Sequence, residues 1–207
     1  PIHTAGLYDL ISMVSLLHVL IYEIPDKGKN WKLHLSNYSR LMPNNFYGNR
    51  ISKRPEELFK RWNVQYKKFT QKANDFFKTY HESKEYKYEI KLDLKNFFPS
   101  VNPLIVYNML MNNMPVTLKS SEDIDIFKQV IYKLLICKVT NLRTARAKEM
   151  YYGDFISEGL YTRGIAQGLP QSYFFGNIVM IEISKQYDKY FEASSVFYVD
   201  DSYLYSN

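Results

Sequence analysis

Residues 196–205 read VFYVDDSYLY. Aromatic and β-branched side chains flank two adjacent aspartates, a composition that predicts two short strands meeting at Asp200-Asp201. Residues 86–94, YKYEIKLDL, predict a third strand by their period of two, with Tyr88, Ile90, Leu92 and Leu94 on one face and Glu89, Lys91 and Asp93 on the other. Both stretches set acids among bulky apolar neighbours. Carboxylates crowded in such surroundings repel one another and lose hydration, unless a cation or a proton compensates. Carboxylate oxygens are hard ligands that suit Mg²⁺, which usually takes one or two of them and keeps positions for phosphate and water.

Between these strands the pattern turns helical. Asn102-Pro103 reads as an N-cap and a first-turn proline opening a helix to about Asn112. Ser121 suits the cap of a second helix, with Ile124, Phe127, Val130, Ile131, Leu134 and Leu135 along its buried stripe. A hairpin is predicted over 148–163, centred on Ser157-Glu158-Gly159. Gly164 to Pro170 (GIAQGLP) forms a glycine-bearing turn, after which Pro170 starts a helix carrying Phe174, Phe175, Ile178, Ile181 and Ile183. This order predicts an α+β fold, an antiparallel sheet with helices on one face.

Upstream, Pro55 with Glu56 and Glu57 predicts a helix start, followed by Leu58, Phe59, Trp62, Tyr66, Phe69, Ala73, Phe76, Phe77 and Tyr80 at spacings of three and four. Lys60, Arg61, Lys67, Lys68, Lys72 and Lys78 fill the positions between, so the expected helix is apolar inward and basic outward. Residues 25–30 and 41–49 read as loop. Residues 5–24 approach the length of a membrane span, but Asp9, Ser12, Ser15, His18 and Glu23 interrupt them. They predict a buried or groove-packing helix, not a span.

The 207 residues carry 46% apolar and 23% charged side chains, which excludes disorder and collagen-like repeats. A single cysteine, Cys137, excludes a disulfide framework and any multi-thiolate metal site, and suits a reducing compartment. The four histidines fall in no ligand spacing. The net charge of +6 is concentrated: residues 27–91 hold 16 basic and six acidic side chains, whereas residues 92–207 hold 11 and 12. Such a block favours a polyanionic partner. Neither end resembles a natural terminus, so the chain is expected to be part of a longer protein. Its organisation reads as a basic, helical N-terminal region over 1–85 and a sheet-bearing domain over 86–207.

Three segments resemble, in order, the palm motifs of reverse transcriptases. Leu92-Asp93-Leu94-Lys95-Asn96-Phe97-Phe98-Pro99-Ser100-Val101 resembles the first, and Gly164-Ile165-Ala166-Gln167-Gly168-Leu169-Pro170-Gln171-Ser172, with Asn177 beyond, resembles the second. Tyr198-Val199-Asp200-Asp201 resembles the third, the Tyr-x-Asp-Asp box. The likeness covers about residues 86–207. It departs at Ala166 and Tyr173, where the family usually has proline. It is nearest to divergent bacterial enzymes of abortive infection, phage defence and mobile elements.

The resemblance implies a fingers–palm architecture without a thumb in this chain, and RNA-directed DNA polymerase activity by two-metal phosphoryl transfer. It implies a bacterial cytoplasmic setting, no membrane, an RNA or DNA template and primer, deoxynucleoside triphosphates, and an accessory domain downstream. Asp93 and Asp200 would be the essential ligands of two Mg²⁺ ions, with Mn²⁺ as a substitute, Asp201 a supporting ligand, and the Leu94 carbonyl a further donor. Phe98 would lie under the incoming sugar and exclude a 2′-hydroxyl, although Phe97 and Phe98 also suit a core. Gln167, Gly168 and Arg163 would face the nucleotide. Arg50, Lys53, Arg54, Arg61, Lys67 and Lys68 are nucleic-acid or triphosphate contacts by composition alone. Three alternatives remain: template-independent DNA synthesis, with or without a protein primer; RNA synthesis on the same palm, against which Phe98 argues; and a non-catalytic nucleic-acid-binding module with a palm fold.

Overall fold

A computed structural model describes residues 5–21, 24–26, 29–31, 42–52, 54, 56–83, 86–112, 120–136, 155–157, 160–161, 164–191 and 194–206. Among these lie six helices, α1 (Leu7–Ile21), α2 (Trp62–Ser83), α3 (Phe97–Ser100), α4 (Pro103–Asn112), α5 (Ser121–Leu135) and α6 (Pro170–Phe191). Seven strands accompany them: β1 (Ile24–Asp26), β2 (Lys29–Trp31), β3 (Tyr88–Asp93), β4 (Phe155–Ser157), β5 (Leu160–Tyr161), β6 (Ser194–Tyr198) and β7 (Asp201–Ser206). The fold is mixed α+β. No described helix is long and apolar enough to cross a membrane. The chain divides into two compact units, Pro1–Arg40 with Asn96–Phe175, and Leu41–Lys95 with Gly176–Asn207.

The second unit holds a three-stranded antiparallel sheet in the order β3-β7-β6. Its central strand, β7, buries Leu204 and Tyr205. Tyr203 and Tyr205 point to one face, where Phe69 and Phe76 of α2 meet them at ring-centroid distances of 5.8 and 5.7 Å. Phe197 points to the other face, stacked on Phe46 at 4.4 Å and lying parallel to Tyr187 of α6 at 6.4 Å. Helices therefore cover both faces, not the single face expected. The reason is that Phe197 and Leu204 are as apolar as the tyrosine side and equally need cover. Residues 45–47 extend the sheet: Phe197 N–H donates to Asn45 O and Tyr47 N–H to Phe197 O, both at 2.9 Å.

Three other expectations change. The basic helix begins at Trp62, not Pro55, because residues 50–60 fold on themselves: Lys60 N–H donates to Arg50 O at 2.7 Å and Ser52 N–H to Leu58 O at 3.0 Å, which bridges Ile51 to Phe59. The two faces of β3 divide as the period of two predicts, but the apolar one is largely uncovered. As an edge strand it leaves Tyr88 60% and Ile90 40% exposed, and its polar side chains lie on the α2 side, where Glu89 Oε1 accepts from Tyr205 Oη at 2.8 Å. Residues 24–31 hold the antiparallel pair β1–β2 where a loop was expected.

In the first unit, Asn102 Oδ1 accepts from Leu104 N–H at 2.9 Å and Pro103 opens α4, as its sequence predicts. The cap of α5 is Ser120, one residue earlier than expected, its Oγ accepting from Asp123 N–H at 3.0 Å. Helices α4 and α5 join through an edge-on Tyr107–Tyr132 contact and bury Val106, Leu110, Phe127, Ile131, Leu134 and Leu135. Of the hairpin predicted over 148–163, the described residues hold the antiparallel β4–β5 pair, with Ser157 opposite Leu160, and the remainder lies outside the described residues. Helix α1 buries Leu17 but exposes Leu7, Tyr8 and Ile11. Its apolar residues surround the helix, so no single packing face can cover them all.

Candidate active site

The β6–β7 hairpin turns through two residues, since Tyr198 pairs with Asp201. Val199 has φ 57°, the left-handed region, where a two-residue hairpin turn ordinarily carries glycine or asparagine. For a β-branched side chain this conformation costs about 1–2 kcal/mol. Asp200 is the second turn residue and Asp201 the first of β7.

Asp201 lies directly opposite Asp93, the last residue of β3. Opposed residues of an antiparallel pair put their side chains on the same face, so the register alone sets two carboxylates side by side and the turn adds a third. Burial pushes the Asp200 carboxyl above the usual carboxylate range. A hydrogen bond from its own backbone N–H opposes that shift, and the charges of Asp201 and Asp93 reinforce it. On the same face, Lys91 is raised by its hydrogen bond to Tyr203 and by the charges of Asp201 and Asp93.

Three carboxylates suit a hard divalent cation by donor type, and positive charge would relieve both the burial of the Asp200 charge and the smaller repulsion from Asp201 and Asp93. Among the described residues, however, no three His, Cys, Asp or Glu side chains converge as a ready-made metal cage. The set supplies negative charge at one end of the sheet. Leu94 follows Asp93 directly beyond the strand end.

The second motif is organised within the other unit. Gly164 N–H donates to Val101 O at 2.7 Å and Ile165 N–H to Phe98 O at 2.9 Å, tying the glycine-bearing turn to the segment that carries Phe98. Gly168, φ 103°, occupies the third position of a turn closed by Leu169 N–H donating to Ala166 O at 3.4 Å, the place where a left-handed residue is required. Gln167 beside it is half-buried. Phe98 is 6% exposed, edge-on to Phe97 at 5.2 Å and to Tyr173 at 5.7 Å. Tyr173 braces the Phe98 ring. Gln171 is fully buried; its Nε2 reaches Met13 Sδ at 3.3 Å, while its Oε1 has no partner among the described residues.

The basic candidates separate into different environments. The Arg50 guanidinium is half-buried and donates to the carbonyls of Pro43 (2.7 Å), Phe46 (2.5 Å) and Met42 (3.2 Å), so it secures the 42–46 loop. Burial lowers its pKa. Arg54 and Arg61 are exposed and share Glu57, at 4.0 and 3.2 Å. Lys67 and Lys68 are exposed on α2. Lys53 and Arg163 lie outside the described residues.

Sequence reading placed Trp62, Tyr66 and Phe77 on the inward stripe of α2; they are instead 73%, 46% and 41% exposed. Tyr66 is edge-on to Tyr198 of the third motif at 5.2 Å. Gly48 and Asn177 were also missed as a pair: Asn177 Nδ2 donates to Gly48 O at 3.0 Å and to Asn49 O at 2.9 Å, behind the Val199 turn. Residues 129 positions apart leave no periodic signal of such a pairing. Compared with known proteins, the chain matches no protein-family model and no curated protein sequence.

Proposed function

We propose that this chain is the fingers–palm part of a bacterial reverse transcriptase that extends a primer with deoxynucleotides. One observation carries the reading: Asp93 pairs with Asp201 across β3–β7 while Asp200 sits on the adjoining turn, and these residues belong to two segments that resemble the first and third palm motifs. Two Mg²⁺ ions bound there would supply Lewis acidity and charge neutralisation for in-line displacement at phosphorus. In that reaction the primer 3′-oxygen bonds to the α-phosphorus of the triphosphate and the bond to the pyrophosphate oxygen breaks.

The protein groups then have distinct tasks. Asp93, Asp200 and Asp201 hold the negative end of the site. Phe98, braced by Phe97 and Tyr173, forms a rigid wall against a 2′-hydroxyl. Gln167 and the open backbone of Gly168 contact the nucleotide. Basic side chains of α2 hold the nucleic-acid backbone by charge. An antiphage or mobile-element role accompanies this reading.

Primer extension by the protein containing this chain tests it, with a defined RNA template, labelled dNTPs and sequenced products. Asp200→Asn should reduce incorporation by about 10²–10³-fold, the scale of losing one transition-state charge interaction. Undiminished synthesis in that variant would remove the proposed mechanism. Products that ignore the template sequence would replace templated synthesis with the template-independent alternative.

A further inference from the structure

The turn that carries Asp200 rests on a glycine that has no room for a side chain. An ideal Cβ on Gly48 would lie 2.5 Å from Val199 N, 2.7 Å from Val199 Cγ2 and 3.2 Å from Tyr198 C. Two of these distances are shorter than non-bonded atoms tolerate, so the glycine allows close backbone approach. Val199, the residue pressed against it, is the β-branched residue held at φ 57°.

The loop bearing Gly48 is fixed from three sides. Its 45–47 segment pairs with Phe197 of β6. Arg50 gathers the carbonyls of Met42, Pro43 and Phe46. Asn177, buried on α6, donates to the carbonyls of both Gly48 and Asn49. Asn49 is itself left-handed at φ 47°, so the amide caps a tight bend. Strain of the kind seen at Val199 persists only where the surroundings over-determine it, and these interactions supply that determination.

We propose that Gly48 and Asn177 are positioning residues: the Gly48–Asn49 loop, tethered by Asn177, is the seat that holds Val199 left-handed and thereby sets the direction in which the Asp200 carboxylate leaves the hairpin. Neither residue touches the reacting atoms. The functional consequence rests on the polymerase reading of Asp200; the mechanical part does not.

The two parts are tested separately. Amide hydrogen exchange at Tyr47 and Phe197, whose N–H groups bond across the seat next to the turn, reads the seat itself. Gly48→Ala and Asn177→Leu should speed exchange there by about tenfold or more relative to amides elsewhere in the sheet, the response of a locally released element. Unchanged protection in both folded variants would overturn the seat. Val199→Gly guards against variants that fail to fold, because it removes Cγ2 and relaxes the strained φ. It should melt no lower than the parent while exchanging faster at these two amides and binding Mn²⁺ about tenfold more weakly. Combined with Gly48→Ala, it should recover only the part of the melting temperature lost to the Cγ2 clash, since the backbone N 2.5 Å from the added Cβ remains, and should restore neither Mn²⁺ affinity nor primer extension.

A merely structural role predicts that stability and function recover together in the double variant, and that result would overturn the positioning claim. A parent protein that neither binds Mn²⁺ nor extends primers would overturn the functional consequence and the polymerase reading, leaving the exchange measurement to decide the seat.

Discussion

Asp93 in β3 and Asp201 in β7 are cross-strand partners at the end of an antiparallel sheet, two carboxylates on one face with no intervening residue. A fold selected for stability alone would place opposite charges or a polar neutral pair there. In chelator-treated protein, Asp93→Asn should therefore stabilise the fold by about 0.2–1 kcal/mol, toward the lower end because Asp93 is exposed. Thermal unfolding with and without Mg²⁺ measures this. A gain that shrinks when Mg²⁺ is added, together with abolished primer extension, is the expected pattern of a site whose charge serves function.

Asp200 extends the same argument to pH. Its folded-state pKa is raised, first by burial and then by Asp201 and Asp93, so the folded state binds its proton more tightly than the unfolded chain does. The charged form is the disfavoured one. Its destabilisation is fully present above the raised pKa and is relieved as pH falls through that value toward the ordinary carboxylate pKa. Metal-free Asp200→Asn should accordingly melt higher than the parent at neutral pH, and the difference should diminish on acidification. A difference independent of pH would mean that charge is not what Asp200 contributes.

Much of this arrangement was legible in the sequence. Strand period and the acids among apolar residues located β3, β6 and β7, and Asn102-Pro103 located the start of α4, because each of these signals is local. What was not legible depends on tertiary partners. Spacing alone placed Trp62 and Tyr66 inward with Phe69, yet only Phe69 is buried: Tyr66 touches the sheet edge-on at Tyr198 and stays 46% exposed, and Trp62 is 73% exposed. The period of β3 suggested which face is apolar, but its position at the sheet edge decided which face is covered. Composition could not separate Arg50, bound to three carbonyls, from Lys67 and Lys68, which are exposed.

Phe98 makes a prediction about sugar selection. Its ring is held edge-on by Phe97 and Tyr173, so a smaller side chain should open space. Phe98→Val should raise the ratio of ribonucleotide to deoxynucleotide incorporation by at least about tenfold, the low end of what one pocket group discriminates. Valine is preferable to alanine because truncating a buried phenylalanine fully costs about 3–5 kcal/mol. Single-nucleotide incorporation with each substrate, on variants shown to be folded, makes the comparison. An unchanged ratio would assign Phe98 to the core.

Helix α2 presents the remaining test. Trp62 and Tyr66 are exposed on α2, as are Lys67 and Lys68, with exposed Arg61 just before the helix, and Lys72 Nζ lies 4.5 Å from the Phe76 ring centroid. Aromatic faces with neighbouring cations are the two ingredients of sequence-tolerant binding to single strands: bases stack on the rings and phosphates neutralise the lysines. The two contributions respond differently to salt, which allows them to be separated. Lys67→Gln with Lys68→Gln should weaken oligonucleotide binding and reduce the slope of log K against log salt by about 0.7 for each phosphate no longer neutralised. Trp62→Ala should weaken binding by about 1–3 kcal/mol and leave that slope unchanged. Because Trp31 and Trp62 are the chain's two tryptophans, a Trp31→Phe background lets Trp62 fluorescence report stacking directly. Quenching on titration with a single-stranded oligonucleotide, persisting at high salt and in the lysine variants once the strand is saturating, is the expected result. Binding without quenching would confine the role of α2 to its charges.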